Sequence, residues 1–282
     1  MFRKIFLAGM ALLFALTGCT VHFQSPVQMV TPGPDVTDTI KIPAPDSNPA
    51  QLKLVFGAGK MTLAPGGENL VNGTATYNVA EFKPEVREED GTTVLQQGDN
   101  NVSVPNMDDI KNEWDLKLGG MPIDLTINAG AYEGDFELGG LALSGLTVQD
   151  GAADVRLDFS TPNKTEMGVF RYETGASNVN VKGIANSHAA SVIFKSGAGN
   201  YTLDFSGELL DDMSVTIESG MSNMTLIIPD GMAAEVTVDS GLSNVNFDSG
   251  WEHHGDTYTS KGNGPKLVIV VKMGAGNLDL QD

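Results

Sequence analysis

From Leu52 onward the chain alternates apolar and polar residues around glycines that recur at near-regular intervals. Aligned on Gly57, Gly130, Gly151, Gly175, Gly197, Gly220, Gly241 and Gly274, the residues five and three places earlier are all apolar, from Leu52 and Leu54 to Ile269 and Val271. Four and six places later the rule returns, as in Tyr201 and Leu203 or Leu278 and Leu280, with Gly134 as the exception. The residue between the later pair is polar throughout, for example Thr202, Thr225 and Asp279. A period of two predicts strands with one buried face. Each unit therefore reads as strand, turn, strand. Glycine is assigned to a turn that needs positive φ, and Asn178, Asn200, Asn223, Asn244 and Asn277 precede the second strand in five units.

The glycines from Gly130 to Gly241 are 21, 24, 22, 23 and 21 residues apart, close to one coil of a β-solenoid. One unit cannot bury enough apolar surface to offset the entropy of ordering it, so the units must stack and share a core. Stacking would bring equivalent asparagines to about 4.8 Å and form an amide ladder. The expected fold is all-β, a repeat-built solenoid resembling a single-stranded β-helix. An antiparallel meander of stacked hairpins gives the same alternation and stands as the alternative. Two intervals break the rhythm. The 73 residues between Gly57 and Gly130 point to a β-rich N-terminal section of different form, placed at 51–119, with the repeats at 120–282. The 33 residues between Gly241 and Gly274 carry an excess around Trp251 to Asp256, expected to protrude as a loop. The last coil, ending at Leu280, looks uncapped.

The start of the chain reads as an address. Arg3 and Lys4 precede an apolar run from Ile5 to Leu16, too short to span a hydrocarbon core of about 30 Å, so residues 1–18 are expected to be a secretory signal. Leu16-Thr17-Gly18-Cys19 resembles the bacterial lipobox, and Cys19, the single cysteine, is the expected lipidation site. A lipid there would be the membrane partner and the only anchor, since no later window holds 18 consecutive apolar residues. Residues 19–50 hold Pro26, Pro32, Pro34, Pro43, Pro45 and Pro49 and are expected to form an extended tether, with a disordered terminus of no spacing role as the alternative.

Composition narrows the partners. With 36 acidic against 17 basic side chains the formal charge is −19, which disfavours nucleic acid, whose phosphates need clustered Lys and Arg. Glycine is enriched, with 33 residues, and a hydrophobic content of 41% is enough for a core. One cysteine excludes an internal disulfide framework.

Several short motifs occur in a specific order: Phe56-Gly57-Ala58-Gly59, Thr76-Tyr77-Asn78, Lys83-Pro84-Glu85-Val86, Asn112-Glu113-Trp114-Asp115-Leu116, the Gly-Ala-Gly-Asn turns, and Gly255-Asp256-Thr257-Tyr258. In these, the chain from about Leu52 to Leu280 resembles the bacterial toast-rack proteins. More distantly it is similar to adhesin-like domains and to the C-terminal domains of cell-wall antibiotic-response proteins. The resemblance implies an envelope-facing protein and transfers no catalytic residue.

Candidate chemistry is sparse. There is no G-x-S-x-G elbow. His188 is read as a solvated turn residue, not a general base. His253 and His254, with Glu252 and Asp256 nearby, alternate faces on an extended backbone and are not read as a zinc pair. Seven places after the glycines lie Glu137, Asp158, Lys182, Asp204 and Asp248, with Arg156 close by. That stripe is read as an exposed charge ladder centred on Lys182, with calcium binding as the competing reading. No metal, cofactor or catalytic residue is assigned. The expected role is a non-catalytic structural, adhesive or stress-sensing scaffold at the bacterial surface or in the periplasm, with an envelope protein or glycan as partner. The alternative is an enzyme acting on envelope or environmental polysaccharide.

Overall fold

A computed structural model describes residues 28–29, 31–98, 102–103 and 109–282; Cys19 and the leader lie outside the described residues. The glycine-marked units are long strands that each bend at their glycine: β3 (Ala50–Gly67), β9 (Pro122–Glu137), β10 (Ala142–Asp158), β11 (Met167–Lys182), β12 (Ala189–Asp204), β13 (Met213–Ile227), β14 (Gly231–Phe247) and β17 (Gly262–Gln281). Neighbours among them pair in parallel, glycine beside glycine, which decides for the solenoid and against the antiparallel meander. The two alternating stretches on either side of each bend close over one apolar core. Leu146, Val148, Val155 and Leu157 of β10 are each no more than 1% exposed. A third, shorter side completes each turn and adds Leu138, Phe159, Ile184, Phe205 and Ile228 to that core. It is tied along the stack by backbone bonds such as Leu138 N–H to Asp158 O at 2.8 Å and Phe205 N–H to Ile227 O at 2.9 Å.

Three sequence expectations change. First, β3 lies in the stack against β9, and one core runs from Ile40 to Leu280, so no boundary falls at residue 119. The material between β3 and β9 is a cap built on β3. Its first half pairs with β6 (Thr92–Gln97) and then β5 (Pro84–Glu89); its second half pairs with β8 (Asn112–Gly119) and then β4 (Val71–Tyr77). Second, the tether ends well before residue 50. Val36–Ile42 is a strand, β2, paired antiparallel with β4, with Ile40 and Ile42 buried. Its prolines flank the strand and leave its ladder donors intact.

Third, the last coils do not stack in chain order. The sheet runs β9, β10, β11, β12, β13, β17, β14, so the C-terminal strand fills a place between β13 and β14 and is not an uncapped end. The excess before it is not a free loop. It is a hairpin of β15 (Trp251–His254) and β16 (Thr257–Ser260), and β16 pairs antiparallel with Ala234–Thr237 of β14. Trp251 and Tyr258 are 6% and 7% exposed, and their burial in the common core holds the hairpin over that half of the end coil. A separate short pair, β1 (Gln28–Met29) and β7 (Val102–Ser103), is parallel.

Candidate functional site

The bend itself explains the glycines. A Cβ on Gly130 would lie 2.3 Å from the carbonyl oxygen of Gly57, and one on Gly175, Gly197 or Gly220 would lie 2.4, 2.5 or 2.6 Å from the carbonyl of the glycine below. None of the eight has positive φ, contrary to the turn conformation expected of them. Close stacking of carbonyls excludes a side chain there. Positive φ falls two places later, at Gly59, Gly199 and Gly276.

Outside the second half of the five coils built on β11, β12, β13, β17 and β14 runs a ladder of amides. Asn200 Nδ2 donates to Asn178 Oδ1 at 2.9 Å, Asn223 to Asn200 at 3.1 Å, Asn277 to Asn223 at 2.8 Å and Asn244 to Asn277 at 3.4 Å. Every donor points the same way, so Asn244 Oδ1 ends the row and, among the described residues, no amide donates to it.

Outside the first half, two places before the glycines from Gly151 onward, runs a polar and mostly charged column that the sequence reading did not identify. In spatial order it is Gln149, Glu173, Lys195, Glu218, Lys272 and Asp239. Gln149 Nε2 donates to Glu173 at 3.0 Å, and Lys195 Nζ meets Glu218 Oε2 at 3.0 Å. A hydrogen bond from Lys195 lowers the Glu218 carboxyl, and Lys272 acts in the same direction. In chain order Glu218 would be followed by Asp239, two like charges on adjacent strands. The insertion of β17 places Lys272 between them, so alternation of sign agrees with the observed strand order. Reading the residue two before each glycine would have exposed this column.

The stripe expected to carry a charge ladder behaves differently. Asp158 lies beside both Glu137 and Lys182 in register, but among the described residues no ion pair joins Lys182 to Asp158 or Asp204. Burial raises the Asp158 carboxyl above its ordinary value, reinforced by Glu137 and Asp204 and opposed by Lys182. Among the described residues no group of three or more His, Cys, Asp or Glu side chains is placed to hold a metal ion.

Inside the corner, next to the glycine bends, polar residues replace apolar ones. Tyr172 donates to Asp150 Oδ2 at 2.7 Å, Thr174 donates to Oδ1, and Tyr132 and Ser177 reach the same carboxylate at 3.4 Å. Burial raises both tyrosine hydroxyls well above their usual range, with Asp150 adding to it. One coil further on Ser196 donates to Ser219 at 2.9 Å, and Ser219 and Ser222 share a bond of 2.7 Å. These side chains satisfy one another and hold the bend.

His188 is not a solvated residue. It is half-buried at φ 52°, its backbone continues the turn by bonding to Ala185 O at 3.3 Å, and its Nε2 is buried without a hydrogen-bond partner among the described residues. It borders a cleft of about 550 Å³ whose rim includes Glu166, Asp211, Asp212 and Leu210. His253 and His254 sit on β15. The His253 ring stacks on Tyr258 at 4.3 Å and its Nε2 meets Gly255 O, while Glu252 pairs with Lys261. The hairpin uses His253 and Glu252 internally, and His254 is exposed.

The end coil has one open stretch. The hairpin turn covers β14 as far as Val238, whose N–H bonds to Asp256 O at 2.9 Å; from Asp239 to Phe247 the strand pairs, among the described residues, only with β17. In this column of the core, Leu203, Leu226 and Leu280 are at most 1% exposed, whereas Phe247 is 43% exposed, one side of its ring packing on Tyr258 and His253 at 5.2 and 5.7 Å.

Residues 31–182 match the model of the N-terminal domain of toast_rack, DUF2154. No curated protein matches the chain. Among solved structures, a candidate cell adhesion protein of Clostridium sporogenes is similar over 88% of this chain and 99% of its own, at 21% identity and a TM-score of 0.51. A candidate adhesin of Bacteroides fragilis covers 89% of this chain and 99% of its own at 12% identity and a TM-score of 0.44. A candidate lipid binding protein of Parabacteroides distasonis covers 89% and 98% at 10% identity and a TM-score of 0.38. The first of these shows the shared fold.

Proposed function

The chain belongs to the toast_rack family by its match over residues 31–182, and from that premise we propose that it is a lipid-anchored, extracytoplasmic, non-catalytic binding scaffold of the bacterial envelope. The observation that carries this reading is the engagement of the solenoid's polar side chains with one another. The amide ladder, the alternating charge column and the Asp150 cluster each pair along the stack. Such side chains build a stiff rod with regular faces, and a rod of that kind serves recognition through shape and strand edges. Acid–base chemistry needs groups convergent on a free space.

Lipid at Cys19 would tether the rod, with residues 20–35 between the lipid and β2 as spacer. No helix of the described residues is long and apolar enough to cross a membrane, so anchoring under this reading depends on the thioether. The test is metabolic labelling with an alkyne fatty acid followed by fractionation. The wild-type chain should carry label and sediment with membranes, and Cys19→Ser should lose the label and appear in the soluble extracytoplasmic fraction. An unlabelled wild-type chain, or a Cys19→Ser variant that stays in the membrane, would refute the anchor.

A further inference from the structure

We propose that the open edge of β14, from Asp239 to Phe247, receives one extended segment of a partner protein as an additional parallel strand. The segment carries a basic residue opposite Asp239, glycine opposite Gly241, a side-chain amide opposite Asn244, and apolar residues opposite Val245 and Phe247. Four independent features of the edge fix that pattern. The charge column alternates through Glu173, Lys195, Glu218 and Lys272 and stops on an acid, Asp239, so the next place calls for a cation. At the bend each glycine excludes a Cβ on the residue stacked upon it, as the 2.9 Å approach of a Gly241 Cβ to Gly274 O repeats at this end. The amide row ends on Asn244, which donates inward to Asn277 and leaves its own carbonyl oxygen open to a donor. Phe247 is 43% exposed where its equivalents are covered.

The resulting pattern, basic-x-Gly-x-x-Asn-apolar-x-apolar, occurs in this chain as Lys272 to Leu280 and as Lys195 to Leu203, both strands that already pair in this register. Those strands are interior and not free to leave. A second copy is a poorer occupant. A two-fold axis that stacks Gly241 on Gly241 sets β14 against itself antiparallel, so that residues beyond the bend run into the part of β14 already covered by β16, and an axis further along the strand would stack a side chain on Gly241. The far end of a translated copy offers β2, Val-Thr-Asp-Thr-Ile-Lys-Ile, a strand with no glycine to follow the bend. The edge thus fits strand addition by a separate segment, with backbone bonds giving affinity and the side-chain columns giving register. This proposal stands on the edge geometry and does not depend on lipidation at Cys19.

The probe is a fluorescein-labelled nonapeptide with the sequence of Lys272–Leu280, titrated with the purified full chain and read by anisotropy. Saturable binding is expected, with loss of at least about tenfold when the peptide's Gly at its third place becomes Val. Replacing its first Lys by Glu should weaken binding by about two- to fivefold, and Asp239→Lys in the protein should reverse that preference. Phe247→Lys should weaken binding, and because its ring also packs on His253 and Tyr258 a thermal melt checks that the variant stays folded at the assay temperature. No saturable binding, equal binding of a scrambled peptide, or no reversal with Asp239→Lys overturns the proposal. So does light scattering that shows the edge closed by a second copy of the chain.

Discussion

Replacing the column glycines by alanine should destabilise the protein in an order set by one distance, from the new Cβ to the carbonyl oxygen of the glycine stacked beneath. For Gly130, Gly175 and Gly197 that distance would be 2.3, 2.4 and 2.5 Å, against 3.1 Å for Gly151. Bringing 2.5 Å out to ordinary contact near 3.4 Å requires about 0.9 Å of separation between two strands whose ladder spacing is about 4.8 Å. The neighbouring N–H···O bonds cannot stretch by that amount and persist. Losing about two of them, with their groups left buried, costs roughly 2–4 kcal/mol. Gly151→Ala needs only a few tenths of an ångström, and the lower entropy of the unfolded chain offsets about 0.4–1 kcal/mol, so its effect should lie within about 1 kcal/mol of zero.

Urea unfolding followed by the fluorescence of Trp114 and Trp251 reads both ends of the core. The account expects Gly130→Ala, Gly175→Ala and Gly197→Ala to shift the midpoint strongly and Gly151→Ala hardly at all. If all four behaved alike, or if only glycines with positive φ such as Gly199 and Gly276 were sensitive, carbonyl stacking would not be why the column is glycine.

The amide ladder predicts a graded loss. Asn223→Ala removes two amide bonds and should cost about 1–2 kcal/mol, whereas Asn178→Ala removes one and should cost about half; equal or null effects in thermal melts would show that the ladder contributes nothing. At Asp158 the raised carboxyl has the sign of a destabilising charge. Its contribution is most favourable below the unfolded carboxylate value and is lost as pH rises through the folded one, so Asp158→Asn should stabilise by up to about 1 kcal/mol at pH 7. That gain should vanish in melts at acid pH, and a gain that grew on acidification would contradict the sign.

The alternation of apolar residues was enough to mark every glycine-centred strand, because a period of two with a glycine at a fixed offset leaves one buried face and one bend. The order of the last two coils was harder. Val236, Val238, Ile269 and Val271 are interchangeable as core residues, and only the signs of Glu218, Asp239 and Lys272 separate the two orders. β3 was assigned to a separate section because a cap of antiparallel strands interrupts the spacing after Gly57, although its own pattern is that of the repeats. Val36–Ile42 was hidden by flanking prolines, which mark edge strands as readily as tethers. The corner cluster around Asp150 was missed because polar residues next to a glycine read as solvated turn. Inside a bend those positions face inward, and Tyr172 supplies a donor to the half-buried carboxylate. His188 was misread for a similar reason, since a polar residue in a connection can be carried inward on the third side of a coil.

The account's central claim is that the glycine-marked strands stack in parallel with β17 between β13 and β14. Methyl-labelled nuclear Overhauser spectroscopy tests it directly, since such contacts cross one strand spacing of about 4.8 Å and not two. Ile217 should show cross-peaks to Val271, and Val271 to Val238, in line with their register. Cross-peaks between Ile217 and Val238, with none from either to Val271, would mean that the coils stack in chain order and would contradict the architecture described.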